Sequence, residues 1–264
     1  MTAIPVTLTA ALAGVLGLCI GSFLNVVAYR VPLRLSVVSP PSACPDCATP
    51  IRSRHNIPVL GWLLLRGHCY DCGLPISVRY PIVEAGTGLL FAAVGARFAD
   101  RPTLLAGYLA FAALAVALAL IDVDVHRLPN VLVVPAYPVL AVLLAAGVAD
   151  GGTILLIRAA IGALVLFTFF LLVAIAAPGG MGMGDVKLAG VVGGMTAALS
   201  WGTFLTGAFA GFLLGALAGA LLMTRRRAGR KTAVPFGPFM LLGAWASILG
   251  ASGLGQLYLD RMRV

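Results

Sequence analysis

What most constrains this chain is its series of apolar stretches, each about as long as a bilayer core is thick. A helix needs about 20 apolar residues to cross hydrocarbon. Stretches near that length fall at about 3–28, 81–98, 102–121, 131–148, 154–177, 186–200, 201–223 and 235–258, giving eight candidate helices. With 61% of residues apolar and only 10% charged, against about 25% charged in soluble domains, the chain reads as an all-α integral membrane protein. High apolar content, scattered glycine and only five cysteines exclude a disordered chain, a collagen-like fibre and a small disulfide-stapled domain. A net charge of +9 would suggest nucleic acid in a soluble protein. Here the basic residues gather in a few loops and set topology instead, so membrane lipid is an expected partner and nucleic acid is not.

No lysine or arginine precedes the first stretch, and the first basic residue is Arg30. That stretch lacks the basic start of a cleavable signal and is expected to remain as an anchor. Alternating the eight helices puts Arg30, Arg34, Arg52, Arg54, Arg66, Arg79, Arg127, Lys187 and the five basic residues of 225–231 on one side. Arg97, Arg101, Arg158, Arg261 and Arg263 fall on the other. The richer side is cytoplasmic by the positive-inside rule. The expected organisation is a first transmembrane helix over 1–29, a cytoplasmic four-cysteine domain over 30–80, and a polytopic domain of about seven further helices over 81–264. Residues 185–224 are apolar without a polar connector. They predict two helices with a turn near Leu199 to Gly202, the second carrying Gly207, Gly211, Gly215 and Gly219 where helix backbones approach closely. No internal repeat is evident.

Inside 30–80, Cys44-Pro-Asp-Cys47 and Cys69-Tyr-Asp-Cys72 form two C-x2-C pairs with spacing near that of a structural Zn²⁺ site. Four thiolates around a tetrahedral ion would stabilise a segment too short to build its own core, and a cytoplasmic position argues against disulfides. A redox pair and a metal-free fold are the alternatives. Cys19 reads as packing within an apolar helix, and His55 and His68 as loop residues. The basic cluster around Arg52, Arg54 and His55 reads as a solvated face, or as a contact for anionic lipid.

With only nine acidic residues, their positions carry weight. Asp122 ends one apolar stretch, and Asp185 lies in Met181-Gly-Met-Gly-Asp185-Val-Lys187, after Pro178-Gly-Gly. An acid at the hydrocarbon boundary is costly if buried alone, so it is paired or functional. Both map to cytoplasmic helix ends, where they can meet although 63 residues apart. Two such acids support peptide hydrolysis by a carboxyl dyad sharing one proton. Gly182 and Gly184 would leave room for an extended substrate backbone. Against this stand a helix-capping role and a cation or proton pathway. Asp124 would point to another helix face as a solvated neighbour.

Several segments together resemble prepilin peptidases. They are Gly21-Ser-Phe-Leu-Asn-Val-Val-Ala-Tyr-Arg-Val-Pro32, the paired cysteine motifs, the run from Asn56 to Cys69 and Ile76-Ser-Val-Arg-Tyr-Pro-Ile-Val-Glu84. The rest are Ile121-Asp122 with Leu128-Pro129-Asn130, Gly182-Met-Gly-Asp185-Val-Lys187 and Pro235-Phe-Gly-Pro238. The resemblance implies a multi-pass aspartic peptidase of the Gly-x-Gly-Asp type in the bacterial inner membrane. Such enzymes remove the basic leader of prepilins and pseudopilins after a glycine. It carries the catalytic roles onto Asp122 and Asp185 and the tetracysteine motif onto Cys44, Cys47, Cys69 and Cys72. It also implies N-methylation of the new amine with S-adenosylmethionine. Asn130 stands where many relatives have aspartate, and Gly61 where serine is common. No Gly-x-Gly-x-x-Gly cradle is present for the methyl donor. Glu84, the only glutamate, and Asn25 are the candidates for holding it, with a helix-start acid and an interhelical amide bond as their plainer readings. A proton-coupled transporter or a membrane scaffold would be the rival function.

Overall fold

A computed structural model describes residues 5–176, 181–224 and 236–251. The basic cluster 225–231, Arg261, Arg263, Asp260, Pro178-Gly-Gly, Pro235 and the last apolar stretch beyond 251 lie outside the described residues. The helices are α1 (Val6–Arg30), α2 (Leu60–Leu64), α3 (Arg79–Arg97), α4 (Pro102–Val125), α5 (Asn130–Ala146), α6 (Val148–Gly151), α7 (Ile154–Ala176), α8 (Met183–Leu199), α9 (Trp201–Thr224) and α10 (Gly237–Ala246), with a wider turn at Ser247–Ala251. Among the described residues there is no strand, only isolated bridges between Ala43 and Pro50 and between His68 and Pro75.

Each of the eight apolar stretches contains a helix. Among the described residues four are long and apolar enough to cross a membrane: Val6–Arg30, Pro102–Val125, Ile154–Ala176 and Trp201–Leu221. The others are shorter, as in α5 and α8 with 17 residues each, or carry charge, as α3 does with Arg79, Glu84 and Arg97. The break between α8 and α9 falls at Ser200, whose backbone is extended (φ −168°, ψ 161°). Its hydroxyl accepts the Thr203 amide at 3.0 Å, so one serine both ends α8 and caps α9.

The described chain divides into two compact units at 105/106. In the first, α1 and α3 pack antiparallel through glycine. A Cβ at Gly17 would lie 2.6 Å from the Phe91 Cβ, and one at Gly21 would lie 2.9 Å from the Glu84 Cα. Gly95 faces Ala13 and the Thr9 carbonyl in the same way. The absence of side chains lets the two backbones close to contact distance, where dispersion is strongest.

In the second unit α8 is the central helix, with Val186, Leu188, Ala189, Val192, Met195 and Ala197 all buried. The Gly162 and Gly193 backbones touch where α7 crosses α8. The Tyr108 hydroxyl of α4 donates to the Met195 carbonyl at 2.8 Å, and the Tyr137 hydroxyl of α5 to the Lys187 carbonyl at 2.6 Å. Gly207 and Gly211 of α9 lie against Ala244, Ser247 and Met240, the close approach expected from their spacing. Gly219 has open space around it.

Candidate functional site

α4 ends one turn after Asp122. The His126 amide donates to the Asp122 carbonyl at 2.9 Å, and His126 has φ +53°, a conformation that cannot continue a right-handed helix. The chain turns back through Leu128 to Pro129, whose extended backbone starts α5. Asp122 is left facing inward, 4% exposed, while Asp124 is exposed on another side of the helix. α8 begins with Gly182 as its N-cap and Asp185 in its first turn. There the Asp185 carboxyl turns back toward the Gly182 amide, the half of a capping box that a glycine N-cap permits.

These two helix ends meet. Asp122, His126, Arg127, Leu128 and Asn130 line one side of a pocket of about 320 Å³, and Gly182, Met183, Gly184, Asp185 and Lys187 line the other. Asp122 Oδ2 and Asp185 Oδ1 are buried without a hydrogen-bond partner, an arrangement that leaves two acceptors open for a shared proton, a water or a substrate amide. Lys187 does not pair with either acid, and its ammonium donates to Asn130 Oδ1 at 2.9 Å.

Each cysteine pair sits in the same backbone turn, offset by 25 residues. The Cys44 amide donates to the Thr49 carbonyl at 3.0 Å and the Ala48 amide to the Cys44 carbonyl at 2.9 Å. The Cys69 amide donates to Leu74 at 2.8 Å and the Gly73 amide to Cys69 at 3.0 Å. The residue after each second cysteine has positive φ, +57° at Ala48 and +72° at Gly73. The two turns bring Cys44, Cys47, Cys69 and Cys72 together with all four sulfurs within 4.8 Å of one another. Cys44 and Cys72 sulfurs are 3.9 Å apart, close to the roughly 3.8 Å edge of a tetrahedron with ~2.3 Å metal–sulfur bonds. This cluster can hold a metal ion. Hydrogen bonds from Thr49 hold the Cys47 thiol down at about 7, and the Cys72 and Asp71 amides lower Cys69. At Cys72 the Leu74 amide also pulls downward, but burial and the three neighbouring sulfurs outweigh it and push the thiol up to about 12. That division is what repulsion among crowded thiolates produces, and a divalent cation relieves it. His68 instead contacts the Arg66 carbonyl at 2.7 Å, and the His55 ring lies tilted against Tyr70. Arg52 lies over the same Tyr70 ring and pairs with Asp71 at 2.8 Å.

Glu84 and Asn25 are both buried, and both already have partners. Glu84 Oε2 accepts the Val59 amide at 2.6 Å. Asn25 Nδ2 donates to the Gly21 carbonyl at 3.3 Å and to the Tyr80 carbonyl at 3.5 Å. These bonds use Glu84 Oε2 and Asn25 Nδ2, and they tie α3 to the segment just before α2 and to α1.

Sequence comparisons identify the chain's relatives. A profile described as the bacterial peptidase A24 N-terminal domain matches residues 15–98, and one described as the type IV leader peptidase family matches residues 109–224. A prepilin leader peptidase/N-methyltransferase of Aeromonas hydrophila is 35% identical over 92% of this chain and 91% of its own length. The chain belongs to the type IV leader peptidase family. A relative of the same name in Bacillus subtilis is 32% identical, over 93% of this chain and 96% of its own. One from Myxococcus xanthus is 53% identical over 121 residues, a match covering 46% of this chain and 36% of that protein. No solved structure gives a significant match.

Within this leader-peptidase family member, the structure adds a residue that the sequence reading left unassigned. A Cβ at Gly237, the first residue of α10, would stand 2.8 Å from Asp122 Oδ2, and its amide faces both carboxyls. Its sign in the sequence is the Pro235-Phe-Gly-Pro238 motif, which carries no information on what the glycine faces. The two glycines before Asp185 separate in role. Gly184 packs on Leu128, where a Cβ would come within 2.9 Å, whereas Gly182 is exposed with only ordinary contact to Asp185.

Proposed function

We propose that this chain is a prepilin leader peptidase that cuts the basic leader from prepilins and pseudopilins, with Asp122 and Asp185 as its dyad. The observation that carries this reading is the single pocket lined by both acids, each with a buried oxygen lacking a partner. One carboxylate takes a proton from water as its oxygen attacks the scissile carbonyl, while the protonated partner donates to the carbonyl oxygen. Collapse of the tetrahedral adduct breaks the C–N bond and protonates the leaving nitrogen. A leader carboxylate and a free amine result, with no covalent enzyme intermediate. The Gly237 amide, facing both acids, helps hold the dyad, and the exposed Gly182 backbone is the side from which an extended substrate approaches.

The topology read from basic residues puts this pocket on the cytoplasmic side, where a substrate anchored by its own apolar helix presents its leader. Eight spans, with 30–80 inserted between the first two, fit that topology. Cys44, Cys47, Cys69 and Cys72 would hold structural Zn²⁺, which supplies folding energy and no redox chemistry. The relatives' names include N-methyltransferase, which supports methylation of the new amine, with S-adenosylmethionine as the proposed donor. S-adenosylmethionine would supply the methyl group there as a second substrate. The test is incubation of purified protein with a prepilin, with and without S-adenosylmethionine, read by intact mass. Asp122→Asn and Asp185→Asn are each expected to lower cleavage at least ~10³-fold, the scale of losing one acid–base group. Full activity in either variant removes that residue from the dyad.

A further inference from the structure

The segment between the two cysteine pairs is anchored deeper than a loop projecting into water. In the α1–α3 pair, Gly21 is level with Glu84 and Asn25 with Tyr80. α1 is a 25-residue span candidate, about 37 Å long against a hydrocarbon core of about 30 Å. Glu84 therefore lies nine residues, about 13 Å, inside the Arg30 end of α1. Its carboxylate binds the Val59 amide at 2.6 Å, immediately before α2. A glutamate side chain plus one hydrogen bond reaches about as far as five residues of helix rise. Val59 thus lies no further out than the start of α3, which is level with Asn25 and some five residues inside the end of α1. The Trp62 indole fixes the same segment to the Ile76 carbonyl at 3.1 Å.

One face of α2 is closed and the other is open. Gly61 is buried against the His55 carbonyl, where a Cβ would collide. Trp62, bonded to Ile76, points away from the leucines, which share the remaining side of the helix: Leu60 and Leu63 are 55% exposed and Leu64 is 75% exposed, with Ile57 next to them. Arg54 and Arg66 are exposed at the two ends of the segment.

We infer that α2 is a membrane-surface element: its leucine face inserts among phospholipid acyl chains, while Arg54 and Arg66 remain at headgroup level. The depth set by Glu84, the apolar face and the flanking basic residues together match an interfacial amphipathic helix, which sits about 5–10 Å into the bilayer boundary. Water is the alternative surrounding for that face, and the rest of the chain is a third.

The test uses the full chain in nanodiscs of phosphatidylethanolamine and phosphatidylglycerol. A benzophenone amino acid is placed at position 64 and, in a second variant, at 63. Position 16 on the exposed side of α1 is the lipid control, and position 46 in the first cysteine turn is the water control. After irradiation, intact mass separates lipid adducts from intrachain crosslinks. Lipid adducts at 64 and 63 are expected within about threefold of those at 16 and at least about tenfold above those at 46. Adducts no more frequent than at 46, or labelling that is mainly intrachain, overturn the inference.

Discussion

At the residue scale, the candidate site depends on groups whose roles differ although their sequence neighbourhoods look alike. Asp122 and Asp124 are two residues apart, yet one is buried in the pocket and the other exposed, because a helix turns about 200° between them. That distinction was legible from spacing. Gly237 was not, because the need for glycine there comes from the Asp122 carboxylate, 115 positions earlier in the chain. Gly237→Ala would set a methyl group 2.8 Å from Asp122 Oδ2, so something must shift. Cleavage is expected to fall at least about tenfold, the effect of misplacing a catalytic group by a fraction of an ångström to an ångström, while the protein still purifies with bound zinc. A prepilin cleavage assay showing wild-type rate for this variant would mean that α10 has no part in holding the dyad.

At the element scale, the two cysteine turns use one backbone shape with different residues at its strained position. Gly73 takes φ +72° freely, whereas Ala48 holds φ +57° against its own Cβ, which costs an L-residue about 1–2 kcal/mol. Ala48→Gly removes that strain but also loosens the unfolded chain by about 0.4–1 kcal/mol. The expected net gain lies between about 0 and 1.6 kcal/mol, seen as zinc loss to a chelator no faster than wild type. Faster loss than wild type would refute the strain argument. The four cysteines are legible in the sequence and the repeated turn is not, because the hydrogen bonds that make the turns equivalent join backbone atoms that no residue pattern encodes.

At the scale of the whole molecule, the four cysteines belong to the first compact unit and the acid pocket to the second. A metal held by these cysteines should therefore matter unequally to the two activities. Cys44→Ser is expected to lower bound zinc well below the wild-type content and to reduce methylation more than leader removal. Metal analysis and intact-mass assay on the same preparation check both. Equal loss of both activities would tie the cysteine centre to cleavage itself.

Apolar stretches of spanning length, the cysteine spacing and the isolation of Asp122 and Asp185 among so few acids were decided by the sequence. Those signals are local: hydrophobic run length, ligand spacing and the cost of charge near lipid can each be read within a short window. The tertiary structure decided what Glu84 and Asn25 bond, that Gly184 packs against Leu128, and that Gly237 comes up against Asp122. Apart from the Asn25–Gly21 bond inside α1, those contacts join residues 25 to 115 positions apart, and they exist only where the folded chain brings distant turns together.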